Sequence, residues 1–431
     1  MALHTPLRFR TDQEKYVLLS NFHKRGWLRS PDESSEWNVF FASPHSVKLL
    51  FSAETRLTDA QLVSHFPNHY ELTRKDLMVK NLKRYRKELE RLHAERGVEP
   101  PPDFDLIPTT FLLPADLAIF IEEFKRTPSS VWIMKPTSKS QGKGIFLISR
   151  LAQVKRWASS RTAQQLGGKD AYVISRYISD PLLIGGKKFD LRIYVLVLNY
   201  RPLKVYIFKK GFARFTTINY TNDFSEMDNE LVHLTNVAIQ KHADGYSATH
   251  GGKWSLKNLR QYLEGTRGTA AAATLMEEIG WIIVHSLKAC QNVIINDKHC
   301  FECYGFDIMI DNKLKPWLLE VNASPSLSTT TASDKMLKLQ LIDEMLDLAV
   351  AQHFGDASAS ARPATARRRA PADAAGGAPH FELLYDEAVE LEAERARRDE
   401  TAGVARRKGS APPGRWPNPP TRRGFYAPHW S

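Results

Sequence analysis

The stretch YGFDIMIDNKLKPWLLEVNASPSL, Tyr304 to Leu327, constrains this chain more than any other. Two strand-like apolar runs flank a DNKL turn, and each carries carboxylate or amide groups at alternate positions. Side chains alternate across a strand. Asp307, Met309 and Asp311 therefore share one face, with Ile308 and Ile310 opposite. In the second run Leu318, Glu320 and Asn322 stand against Trp317, Leu319 and Val321. Paired as a hairpin, the runs bring Asp307 toward Glu320 and Asn322. Buried carboxylates require a partner. Either a cation sits among them, and three oxygen ligands suit Mg²⁺, or the hairpin turns one polar face to water.

Three other segments carry polar groups in a comparable setting. In MKPTSKSQGKGIF, Lys135 follows a strand-like run and SQGKG forms a flexible loop whose backbone amides can lie over phosphates. The spacing is not that of a Walker loop. In LLIGGKKFDLRIYVLV, Lys188, Asp190 and Arg192 alternate onto one face, while Phe189, Leu191 and Ile193 give the other a core. That pattern fits a nucleotide pocket or an edge strand protected by charge. In GFARF…HLTNVAIQK…GGKW, Arg214 and Lys253 are cations near aromatic residues, and Thr235 and Asn236 are small polar groups inside a strand-like run. His233 reads most simply as a polar core residue.

Net charge is +12 and the pI about 9.4 over 431 residues. The tail carries only part of this excess, so the folded part calls for an anionic partner. No finger, RNA-binding or helix-turn-helix signature supports nucleic acid. Cys290, Cys300 and Cys303 are too few for a disulfide framework, and Cys300/Cys303 with His299 make a poor zinc set. No apolar run reaches spanning length, and the N-terminus lacks a signal-peptide core, so no membrane association is expected.

The coarse organisation is mixed. Residues 73–96 are read as a basic helix with Leu77, Lys80/Asn81 and Arg84 at helical spacing and Leu82 and Tyr85 as anchors. Five strand-type runs follow between 131 and 211, then a helix near 273–294. After Val350 the composition turns to Ala, Arg, Pro and Gly, read as a disordered tail with one helical docking island, FELLYDEAVELEAERARRDE.

Together, FPNHYELTRKDLMVKNLKRYRKE, WIMKP, SQGKGIF, LIGGKKFDLRIYVLV, HLTNVAIQK, KHCFECYGFDIMID and KPWLLEVNASPSL resemble the tubulin-tyrosine-ligase-like family, in order, over roughly residues 10 to 350. The resemblance is to its polyglutamylase branch. It implies an α+β, ATP-grasp-type ligase fold: an N-terminal domain (1–73), a central lobe (74–187), a C-terminal lobe (188–350) and a disordered Arg/Pro/Ala-rich tail (351–431). It implies an ATP-dependent ligase that activates a glutamate side chain in the acidic C-terminal tail of tubulin and joins free L-glutamate to it. ATP and Mg²⁺ are the implied cofactors. Further subunits of a polyglutamylase complex are implied partners, and the cytoplasmic cytoskeleton, cilium and basal body implied locations. By position, Lys135, Gln141, Gly142, Lys188, Asp190, Thr235 and Asn236 would hold ATP. Ser175, Arg176, Tyr177 and Ile178 would form the hinge at adenine, where many relatives have Gln at the Ser175 position. Asp307, Glu320 and Asn322 would ligate magnesium, and Arg214 and Lys253 would bind the incoming glutamate. Lys135, Arg214, Lys253 and Glu320 are the expected catalytic set. A glycine or tyrosine ligase of the same family and a non-catalytic ATP- or microtubule-binding scaffold are the alternatives.

Overall fold

The computed structural model describes residues 6–31, 35–52, 56–95, 105–159, 171–247, 251–355 and 379–396, with the single positions 97, 249, 425 and 426. Helix and sheet are mixed, in three sheets.

The first sheet is small and parallel: β1 (Arg8–Thr11), β2 (Leu28–Arg29), β3 (Val39–Phe41) and β4 (Leu62–Val63), in the order β2-β1-β3-β4. Helices Tyr16–Lys24 and Pro44–Ser52 make the crossovers that parallel strands require. The second sheet is antiparallel, β5 (Thr110–Leu113), β6 (Trp132–Pro136), β7 (Phe146–Ile148) and β8 (Tyr172–Arg176), in the order β5-β8-β6-β7. Phe111, Phe120, Trp132 and Ile174 form its own core.

The third sheet is the largest and carries the longest strands. It comprises β9 (Leu183–Ile184), β10 (Lys187–Tyr200), β11 (Leu203–Phe215), β12 (Lys253–Ser255), β13 (Glu302–Ile310) and β14 (Pro316–Asn322), with the path β12-β11-β10-β13-β14. One face, with Leu191, Ile193, Val195 and Ile308, packs against helices Leu256–Arg267 and Thr269–Gln291. The other, with Tyr194, Leu196 and Phe208, packs against helix Ala332–Phe354. Both faces of the middle strands are thus covered, which is why YVLVL reads as a continuous apolar run.

Besides Thr235 and Asn236, which stand between the short helices Glu230–His233 and Val237–Gln240 rather than in a strand, three expectations need correction. First, helix Lys75–Glu95 buries Met78, Val79, Leu82, Leu89 and Leu92. Of the residues read at helical spacing, Asn81 is buried and Leu77 half-buried, whereas Lys80 and Arg84 are exposed; helix Thr269–Gln291 meets the Leu82/Tyr85 side, with the Tyr85 hydroxyl 2.9 Å from His285 Nδ1. Second, the island at Phe381 is not helical from its start. Phe381–Asp386 is a strand, β15, pairing antiparallel with β11, and helix follows over 387–396, the last residues of the island lying outside the described residues. Phe381, Leu384 and Tyr385 are buried there, so the open edge of β11 overrides local helical spacing. Third, the boundary at Val350 falls inside helix Ala332–Phe354. Of the proposed disordered tail, 351–355, 379–396, Phe425 and Tyr426 are described, and 379–396 is ordered against β11; the remainder lies outside the described residues. Within the described residues no helix is long and apolar enough to cross a membrane.

Candidate active site

A cleft of about 1070 Å³, open mouth included, separates the second and third sheets. Lys135, Gln141, Gly142, Ser175, Arg176, Tyr177, Ile178, Lys188, Asp190, Thr235, Asn236, Asp307 and Glu320 all line it. Arg214 stands behind this wall, and Lys253 and Asn322 lie beyond the lining residues.

The third sheet supplies the charged wall through register. Arg192 lies opposite Asp307 and Asp307 opposite Glu320, while Asn322 lies opposite Gly305. Asp190 lies opposite Arg214, and Arg214 opposite Lys253. Alternation, with a register shift between Asp307 and Ile308, puts these groups on one face; because of that shift Leu318 stands opposite the core residue Ile308 and does not share the face of Glu320, contrary to expectation. Arg192 grips Asp307 with both ends of its fork, at 2.6 and 3.0 Å. Arg214 does the same to Asp190, at 2.8 and 2.5 Å, and its Nη2 also reaches Asp307 Oδ2 at 2.9 Å. Burial works against the Asp307 charge, but the two guanidinium groups outweigh it and hold the carboxyl well below the usual carboxylate range. Glu320 Oε2 is 2.8 Å from Lys75 Nζ. Asn322 donates to Gly305 O at 3.2 Å, which orients its amide.

The facing lysines are poorly solvated. Lys188 is buried and donates to the Tyr177 hydroxyl at 2.8 Å and to His233 O at 3.0 Å. Tyr177 OH is 2.8 Å from His233 Nδ1, and His233 Nε2 is 3.0 Å from Glu226 O. Burial, with Lys135 adding repulsion, pushes Lys188 down to about 7. Burial likewise pushes Lys135 to about 8, although Glu320 draws it upward. Burial and the nearby Lys188 lower His233, consistent with a neutral core histidine that holds Tyr177.

The glycine loop meets the cleft as a run of left-handed residues, with φ of 63° at Gln141, 80° at Gly142 and 75° at Gly144. A Cβ on Gly142 would lie 2.6 Å from Ile239 Cδ1 and 3.2 Å from Asn236 Oδ1, so only glycine permits this approach. At the hinge, Ser175 Oγ accepts from Thr110 Oγ1 at 2.8 Å and Arg176 pairs with Glu123 at 2.7 Å.

Sequence reasoning missed Lys75 and the role of Arg192. Lys75 opens helix Lys75–Glu95 and lines the cleft. Its only local signal is its position in TRKD, ahead of the apolar stripe. Asp334, also missed, holds Lys253 at 3.3 Å and Lys338 at 3.0 Å. Cys300 and Cys303 belong to different core layers, so they do not converge on a metal.

A family model described as "Tubulin-tyrosine ligase family" matches residues 52–357. The chain belongs to this family. Among curated relatives, a "Probable alpha-tubulin polyglutamylase Ttll1" of Tetrahymena thermophila is 50% identical over 396 residues, covering 89% of this chain and 94% of the relative. A "Probable tubulin polyglutamylase TTLL9" of Bos taurus is 42% identical, with 79% of each covered. "Tubulin polyglutamylase TTLL5" of Mus musculus is 36% identical over 78% of this chain but 24% of its own length. In this tubulin-tyrosine ligase family member the matched span includes the whole charged wall, from Lys75 to Asn322.

Proposed function

We propose that this chain is an ATP-dependent tubulin polyglutamylase of ATP-grasp type, which joins free L-glutamate through an isopeptide bond to a glutamate side chain in the tubulin C-terminal tail. The observation that carries the reading is the charge inventory of the cleft. Six cations, Lys75, Lys135, Lys139, Lys143, Arg176 and Lys188, line it with three carboxylates, Asp190, Asp307 and Glu320, and Arg192 and Arg214 stand behind them on Asp307 and Asp190. Such an excess, partly buried, suits a polyanion. Asp307, Glu320 and Asn322 are an all-oxygen donor set on adjacent strands, the chemistry Mg²⁺ takes alongside phosphates. The donor set and the surrounding cations therefore fit Mg-ATP.

In this reading ATP supplies the phosphoryl group that turns a poor acyl donor, a carboxylate, into a reactive one, with Mg²⁺ neutralising phosphate charge. The chain's own contribution is placement and charge. Lys135 and Lys188 face the phosphates, and the Gln141–Gly142 loop covers them with backbone amides. Thr235 and Asn236 stand beside that loop, and Ser175 to Ile178 line the adenine end. Asp190 and Asp334 keep Arg214 and Lys253 extended, and we assign this pair to the carboxylates of the incoming glutamate. Its α-amine stays free to attack. Among family activities, two cations favour an acidic amino acid over glycine or tyrosine, each of which has one carboxylate fewer. The names of these relatives support the polyglutamylase branch. The tubulin substrate places the working site on the cytoskeleton, with cilia, basal bodies and partner subunits as further expectations.

The test supplies tubulin, Mg-ATP and labelled glutamate, glycine or tyrosine to the chain, with and without an extract containing partners, beside Glu320→Gln. Glutamate incorporation lost in the variant supports the reading. Incorporation of glycine or tyrosine instead would replace it with another family activity. ATP binding without any incorporation would favour a scaffold.

A further inference from the structure

Outside the cleft, the described residues bring together His65, His69 and Glu302, all buried, with one ligand-type atom of each within 4.8 Å of the others. Hydrogen bonding accounts for this group without a metal. Glu302 Oε1 lies 2.9 Å from His65 Nδ1, while Oε2 accepts from the Phe66 amide at 3.1 Å and the Tyr304 hydroxyl at 3.2 Å. Tyr304 is held in turn by Tyr200 at 2.9 Å. A fully buried carboxylate with three donors is satisfied.

The other end of His65 is the informative one. Its Nε2 lies 3.2 Å from Ser324 Oγ. In the tautomer whose Nδ1–H donates to Glu302, Nε2 accepts from the serine hydroxyl. A chain of bonds thus runs from the first residue of β13, through His65 just past β4, to the loop after β14. Ser324 is two residues beyond Asn322. That loop also folds tightly over β13: a Cβ on Gly305 would lie 3.1 Å from Pro325 Cβ and 3.3 Å from Arg192 Cδ. Gly305 O is the group that orients Asn322.

We propose that His65 is a positioning residue, which transmits the fixed place of Glu302 to the loop at Ser324 and so sets where Asn322 stands. This role rests on the nucleotide reading above. Groups that orient metal ligands typically change metal affinity 10- to 100-fold when removed.

Ser324 is exposed, so Ser324→Ala breaks the tie without emptying the core. In calorimetric titrations with ATP, the half-saturating Mg²⁺ concentration should rise about 10-fold in Ser324→Ala, while ATP binding in chelator and the melting midpoint stay unchanged. Ser324→Thr, which keeps a hydroxyl, should restore the wild-type value. His65→Gln should shift it likewise, and the double variant no further than either single one. Independently of any ligand, amides 322–327 should exchange faster with deuterium in Ser324→Ala. Wild-type Mg²⁺ dependence in Ser324→Ala would overturn the positioning role, and unchanged exchange would overturn the tie. A wild-type chain that binds no Mg-ATP would overturn the nucleotide reading itself, and this role with it.

Discussion

Lys75 Nζ stands 2.8 Å from Glu320 Oε2 across the mouth of the cleft. The pair joins the start of a helix to the end of β14, so a cation already meets the carboxylate assigned to magnesium. Glu320 is only partly buried, and such pairs contribute about 0 to 1 kcal/mol to stability. Glu320→Gln should therefore melt close to wild type while losing about 100-fold or more in ligation rate. Thermal melts beside glutamate incorporation measure both, and full turnover by the variant would remove Glu320 from the metal set.

The buried lysines predict an unusual pH dependence. An unfolded lysine keeps its proton to about 10.5, whereas folded Lys188 releases it near 7. Between those values the unfolded chain binds more protons, so stability rises with pH across that window. Below pH 7 both states are protonated and the folded state carries the full burial penalty. The nucleotide-free melting midpoint should climb from pH 7 to 9, and Lys188→Met should flatten that climb. Lys135, near 8, leaves a residual slope.

The same lysines should recover protons when phosphates arrive. Nucleotide binding at pH 8 is expected to take up protons, read by calorimetry in two buffers of different ionisation heat. Equal heats in both buffers would argue that Lys135 and Lys188 do not face the nucleotide.

Helix Lys75–Glu95 begins at the cleft and carries exposed Lys80 and Lys87 outward from it. An acidic tail approaching the site would pass this face. Lys80→Glu with Lys87→Glu should raise KM for tubulin several-fold with kcat unchanged, and added salt should do the same to wild type. Salt-insensitive KM would leave the helix face without a role in steering.

β15 covers the edge of β11 with buried Leu384. Leu384→Ala should cost about 2 to 5 kcal/mol in urea unfolding. A cost near zero would mean that the strand does not stay docked in solution.

Much of the site was legible because strand alternation is local. Lys188, Asp190 and Arg192 fall on one face by counting alone, as do Glu320 and Asn322, and the apolar residues between them name the opposite face. Asp307 against Glu320 needed more than the hairpin through DNKL: with Ile308 opposite Leu318, plain pairing would set Asp307 opposite Leu319, and a register shift between Asp307 and Ile308 brings it to Glu320. What counting could not reach was every partner set by register or docking at long range. Arg192 gripping Asp307, Arg214 bridging Asp190 and Asp307, Lys75 reaching Glu320 and His65 joining Glu302 to Ser324 all link separate elements. Their sequence neighbours carry no trace of the pairing. The island at Phe381 makes the same point in reverse: its residues space like a helix, yet an unpaired strand edge offers backbone hydrogen bonds and apolar burial that local propensity does not outweigh. The sequence by itself determined which side chains share a face and that carboxylates and lysines lie within apolar strands. The tertiary structure decided which charges meet, because strand register and helix docking bring together groups far apart in the chain.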